Sequence, residues 1–272
     1  MEVFSVLLIL LVLGILVGIF SIFKDIFTYF YVEAGHFIKK RQPISQKHRE
    51  ILNKYSAYYK LLSAENKMLF EKRVQRFMHS KRFVARSLPN INDEMQVLIS
   101  ASAIQLTFGL PEVYLSNFDK ILVYPDAYYS RITKKYHLGE VNPRAGVIIL
   151  SWKSFVDGYA NLTDAYNVGI HEMAHAIHFE NRIKNDEYNF LDYETLKKLD
   201  RITQRELPKL RNGSTHFMRS YAGTNEYEFF AVSLEHFFED PLGMKNNLPD
   251  LYDTIKTLIN QDPIKLYKLQ AK

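Results

Sequence analysis

The sequence predicts an α+β fold, a mostly helical domain with a small sheet, preceded by one N-terminal transmembrane helix. Three observations predict it. The 272 residues are 47% hydrophobic and 14% aromatic, a composition that folds around a sizeable core. Beyond residue 43 apolar residues recur mainly at helical spacing, and two short runs read as strands. Residues 3–23, VFSVLLILLVLGILVGIFSIF, carry no charge.

That apolar run would span about 30 Å as a helix, the thickness of a bilayer's hydrocarbon core. It begins after Met1-Glu2 and ends at Ile22-Phe23-Lys24, without the basic start and small-residue cleavage site of a signal peptide, so an uncleaved anchor is expected. No Lys or Arg precedes it, whereas Lys24, Lys39, Lys40, Arg41, Lys47 and Arg49 follow. The positive-inside rule then puts the bulk of the chain in the cytoplasm. The expected organisation is an anchor over residues 1–24, a basic juxtamembrane segment over 25–49 near anionic headgroups, and a folded domain over 50–272.

Residues 51–77 read as two helices around Ser63, a residue suited to cap the second. Asn92 or Asp93 starts the next, with Met95, Leu98, Ile99, Ala103 and Leu106 on one face and Gly109 and Pro111 at its end. Residues 120–124 (KILVY, stopped by Pro125) and 146–151 (GVIILS) are the strand signals. The second precedes the most informative segment and is a candidate edge strand for holding an extended peptide, or else a plain core strand. Residues 193–207 form a charged helix, 212–215 a loop, and Asn225 caps a helix running to Glu239, where Asp240-Pro241 ends it.

The informative segment is His171-Glu172-Met173-Ala174-His175, a His-Glu-x-x-His pattern. On a helix, positions i and i+4 share a face, so both imidazoles can reach one metal ion, while Glu172 projects about 100° away, near a bound water. Asp164 is the expected N-cap of this helix, over residues 164–182, and Tyr166, Ile170, Met173, Ala174 and Ile177 form its apolar back. With no cysteine in the chain, disulfides and thiolate ligands are excluded, and a zinc ion must rest on histidine and carboxylate. The formal net charge of +5 is mild, and no nucleic-acid partner, which calls for a concentrated basic face, is read from it.

A catalytic zinc needs a third protein ligand. His178, seven residues after His171, would crowd three donors of one rigid helix onto one tetrahedron; Glu180 is another nearby candidate. On the helix after Asn225, Glu228, Glu235 and Glu239 share a face, and periodicity does not choose among them.

The segment 221–231, YAGTNEYEFFA, closely resembles the corresponding segment of the Mlc titration factor A family of zinc peptidases, and is similar to one in the catalytic domain of anthrax lethal factor. Residues 235–241 (EHFFEDP), Asn167 and Val123-Tyr124-Pro125 resemble the titration-factor family too, so the likeness covers roughly residues 60–241. It implies a zincin-like metallopeptidase domain of gluzincin type, with one Zn2+ held by His171, His175 and Glu228. Glu172 would then be the general base and Tyr221 would face the reacting carbonyl. It also implies a peptide or protein substrate, and as an alternative a zinc-containing regulator that binds and sequesters a cytoplasmic protein. This chain departs from the family in carrying His178 where an Asp is usual, and in its predicted anchor.

Overall fold

The computed structural model describes residues 43–130, 134–161, 164–183, 190–213 and 216–270. The predicted anchor and most of the basic juxtamembrane segment lie outside these residues. Among the described residues no helix is long and apolar enough to cross a membrane.

The described residues belong to one compact unit, Pro43–Lys272. It opens with helices α1 (Gln46–Tyr55), α2 (Ala57–Leu61) and α3 (Ala64–Ser80). The hydroxyls of Ser45, Ser56 and Ser63 accept from backbone N–H groups in their first turns, satisfying donors that a helix start leaves open. Two basic residues of the expected juxtamembrane segment pair within this unit: Arg49 makes two 3.0 Å contacts with Glu71, and Lys47 lies 2.7 Å from Asp93.

Strand β1 (Arg82–Ala85) leads to helix α4 (Asp93–Thr107), which Asn92 caps. Strands β2 (Lys120–Tyr124), β3 (Tyr128–Ser130), β4 (Lys135–His137), β5 (Gly139–Asn142) and β6 (Val147–Ser151) follow, then α5 (Trp152–Ala160). The main sheet has the order β1-β2-β6-β5. β1, β2 and β6 are parallel, and β5 is antiparallel to β6. β3 and β4 form a separate antiparallel pair. The expected small sheet is present, but residues 146–151 are not at its edge. β6 is sandwiched between β2 and β5, which explains its continuous apolar run, and β5 is the terminal strand.

Helix α6 (Val168–Ile183) carries the His-Glu-x-x-His residues. Its expected cap is corrected. Asp164 accepts from Tyr166 N–H, whereas Asn167 Oδ1 accepts from Ile170 N–H at 3.0 Å and starts the helix. Tyr166 consequently lies before the helix and half exposed, while Ile170, Met173, Ala174 and Ile177 are buried as the periodicity predicts. Helix α7 (Tyr193–Arg211) and a 3-10 turn (Ser220–Gly223) precede helix α8 (Glu226–Glu239). Asn225 caps α8 through two hydrogen bonds of 2.9 and 3.0 Å. α8 is not the last element, because Pro241, Pro249 and Pro263 begin α9 (Pro241–Asn247), α10 (Pro249–Leu258) and α11 (Pro263–Gln270). Proline at a helix's first position loses no hydrogen bond and brings a suitable φ.

The core lies where α6 crosses α8 and packs against α4. Met173, Ala174 and Ala176 are fully buried on one helix, and Phe229, Val232, Leu234 and Phe237 on the other. This packing buries the apolar backs of both helices and turns their histidine and carboxylate faces toward each other.

Candidate metal centre

On α8, Glu228, Glu235 and Glu239 stand at i, i+7 and i+11, along one face opposite the start of α6. Each meets a different partner there. Glu228 Oε2 lies 3.0 Å from His171 Nε2 and 3.5 Å from His175 Nε2, and the two imidazole nitrogens are 3.1 Å apart. Glu235 Oε1 accepts from His171 Nδ1 at 2.7 Å. Glu239 Oε1 accepts from Asn167 Nδ2 at 2.9 Å.

The three atoms around Glu228 form a triangle that could hold a metal ion. Ligands about 2.0–2.1 Å from a tetrahedral ion stand about 3.3 Å from each other, close to the spacings here. Glu228 Oε2 is buried and makes no well-formed hydrogen bond, as expected of a lone pair aimed at an ion. The donor set of two imidazoles and a carboxylate suits zinc chemistry.

Glu235 fixes the His171 ring. With the Nδ1 proton donated to Glu235, Nε2 presents a free lone pair. Glu235 itself is buried and held by Arg219 Nη2 at 2.6 Å and by Asn167 N–H at 2.7 Å. Arg219 also donates to the carbonyl of Ala165, a residue in the left-handed region at φ 53°. The electrostatics favour a cation: burial lowers the His171 pKa, but Glu228 and Glu235 outweigh it and push it up to about 10. Conversely, burial raises the Glu228 pKa while the two imidazoles win and hold it well below the carboxylate range.

Glu172 is buried on the neighbouring face. Burial foremost, and the Glu228 and Glu235 charges after it, raise its pKa against the opposing imidazoles. It lies on the backbone of Gly139, where a Cβ would stand 2.4 Å from Glu172 Oε1, so only glycine admits this approach. Gly139 is on the edge strand. Leu138 O accepts from Ser151 N–H, so antiparallel alternation turns the N–H and C=O of Gly139 and Val141 away from β6. The Tyr221 ring is centred 6.0 Å from that of His171 and half exposed. Burial first, then Glu228 and Glu172, raise its pKa, so the phenol keeps its proton.

These side chains border a cleft of about 330 Å³, lined among others by Gly139, His171, Glu172, Arg219, Tyr221 and Glu235. The structure thus brings together His171, His175, Glu172, Tyr221 and Glu228. The other sequence candidates for the third ligand lie elsewhere. His178 packs among Phe179, Tyr227 and Phe230, and Glu180 accepts from the backbone of Ser116 and Asn117. Arg219 and Gly139 were not anticipated. A glycine opening a four-residue strand and an arginine two residues before Tyr221 carry no sequence signal of their own.

A mostly helical α+β domain with a cleft holding a His-His-Glu donor set and a buried glutamate beside it is the arrangement of a metallopeptidase. The family described as glucose-regulated metallo-peptidase M90 matches residues 33–258, and the chain belongs to it. Among its relatives, an uncharacterized protein of Synechocystis sp. is 28% identical over 239 residues, covering 82% of this chain and 87% of that one. Mlc titration factor A of Yersinia enterocolitica is 26% identical over 186 residues, 60% of this chain and 68% of the relative. Mlc titration factor A of Serratia proteamaculans is 25% identical over 206 residues, 65% and 77% respectively.

Proposed function

We propose that this chain is a membrane-anchored, zinc-dependent peptidase of gluzincin type, with one ion held by His171, His175 and Glu228. The observation that carries the reading is the convergence of three donor atoms, 3.0–3.5 Å apart, beside a buried glutamate. When bound, zinc supplies Lewis-acid chemistry, polarising a carbonyl and acidifying water to a pKa near 7. The chain's own residues do the rest. Glu172 takes a proton from the attacking water and delivers it to the leaving amine, a role its raised pKa favours. Tyr221 donates to the carbonyl oxygen as it gains charge, and the interaction strengthens in the transition state. The resemblance of residues 221–231 to the Mlc titration factor A family supports the same role. Gly139 and Val141 offer backbone N–H and C=O groups to a substrate lying along β5 as an added strand.

The test is Glu172→Gln in the full chain, assayed against a peptide library with and without chelator. The variant should keep its metal and lose cleavage, and turnover near the native rate would overturn the role of Glu172. The anchor is tested apart: residues 3–23 should keep the chain in the membrane fraction, with the domain protected from protease added outside intact cells. Release by high salt would contradict an anchor.

A second reading rests on the name that two of the relatives carry, Mlc titration factor A. The domain would sequester a cytoplasmic protein partner at the membrane. Pull-down with Glu172→Gln separates the two. Specific retention of a protein that the native chain does not cut supports sequestration, and retention of one that it does cut supports catalysis.

A further inference from the structure

The cleft walls carry an aromatic surface that the hydrolytic roles leave unused. Tyr136, at the cleft's lip on β4, is 75% exposed, and Tyr166 is 48% exposed. Tyr129 on the paired strand meets Tyr136 edge to face at 5.4 Å, bracing its ring outward. Leu138 and Val168 line the same cleft as the Glu172 carboxylate. Large exposed rings gathered at a concave site mark a recognition surface.

The charged groups lining this cleft are already committed. Arg219 lies 4.9 Å over the Tyr166 ring, with one Nη on Glu235 and the other on the Ala165 carbonyl. Glu235 is filled by His171, Arg219 and the Asn167 N–H. Glu172 is buried against Gly139. Selection by a free opposite charge is therefore not built into the described walls, whereas selection by apolar contact is.

We propose that the cleft takes peptides with a large apolar or aromatic side chain within two residues of the scissile bond, packed against Tyr136 and Tyr166. The inference rests on the peptidase reading for the position of that bond. Tyr136, on β4, and Gly139, on β5, are three residues apart across a bend at Leu138. A peptide paired along β5 would bring every second side chain to the same face.

The experiment uses the full chain and an alanine octapeptide series in which one central residue is Phe, Leu, Gly, Asp or Lys. Cleavage is measured with the native chain, and binding of fluorescein-labelled peptides by polarisation with Glu172→Gln. Phe and Leu peptides should be cut with at least tenfold higher kcat/KM than Gly, Asp or Lys peptides, in line with what apolar pockets discriminate. They should bind the variant more tightly in the same order. Tyr136→Ala, at an exposed position, should shrink the Phe-to-Gly ratio several-fold in both assays. Equal cleavage across the series, or a preference for Asp or Lys, would overturn the inference while leaving the peptidase reading intact. Preferential binding of Phe and Leu peptides with no cleavage would uphold the apolar wall and sink both the peptidase reading and the placement beside a scissile bond. An unchanged Phe-to-Gly ratio in Tyr136→Ala would overturn the assignment of the wall.

Discussion

Replacing Glu235 with glutamine tests how the site is held together, because it alters no atom of the proposed donor set. The Glu235 carboxylate accepts from His171 Nδ1 at 2.7 Å, Arg219 Nη2 at 2.6 Å and Asn167 N–H at 2.7 Å, and its side chain is 1% exposed. All three partners are donors. A glutamine amide offers one acceptor oxygen, so its NH2 must face a donor, and Arg219 loses its buried counter-charge. The imidazole of His171 is then both less basic and less firmly oriented. Loss of such an outer partner typically weakens metal binding by about 10–100-fold, or about 1.4–2.7 kcal/mol. Chelator-competition titration of the purified full chain measures this directly, with thermal unfolding of the metal-free protein as the control for folding. Metal affinity within twofold of native, in a variant that unfolds at a lower temperature, would refute the orienting role and leave Glu235 as scaffold only.

Other substitutions separate the remaining roles. Gly139→Ala would place a Cβ 2.4 Å from Glu172 Oε1, so strand or carboxylate must move by an appreciable fraction of an ångström. Cleavage should fall by about 10²-fold with metal content unchanged, and a native rate would show that Glu172 does not depend on that approach. Tyr221→Phe should lower kcat by about 10²–10³-fold with little change in KM, measured on one cleaved peptide. A change confined to KM would assign Tyr221 to binding. Glu239 is pushed up to about 8 by burial, with Glu235 and Asp164 adding and the Asn167 hydrogen bond opposing. An unfolded glutamate titrates near 4.3, so the folded state holds more protons between that pH and about 8, and stability falls as pH rises through this window. Glu239→Gln should therefore gain on the native chain in unfolding temperature from pH 5 to 8. A difference independent of pH would contradict a protonated Glu239.

Local signals in the sequence hold where neighbours in the chain decide the structure. Ser63, Asn92 and Asn225 each cap the helix expected of them, because an N-cap needs only its own side chain and the next turn. The cap of α6 departs from the sequence expectation because Asp164 has the right chemistry, but the left-handed backbone at Ala165 and the Tyr166 N–H intercept it. Asp240-Pro241 ends α8 at Glu239 as expected, and Pro241 also opens the first of three further helices, which no local signal announces. The sheet edge lies beyond local reading. The residues of β5, Gly-Glu-Val-Asn, have little strand propensity and are fixed by pairing with β6. In the same way periodicity offered Glu228, Glu235 and Glu239 as equals. The angle at which α8 crosses α6 gives them three different partners, and the family resemblance had singled out Glu228 among them.

The proposed metal centre requires one ion between α6 and α8, gripped by both. Anomalous diffraction at the zinc absorption edge, from crystals of zinc-loaded protein, addresses it without reliance on activity. One peak is expected about 2.0–2.2 Å from His171 Nε2, His175 Nε2 and Glu228 Oε2, with Glu172 outside bonding distance. A peak coordinated without Glu228, or no peak at this cleft in zinc-saturated crystals, would contradict it.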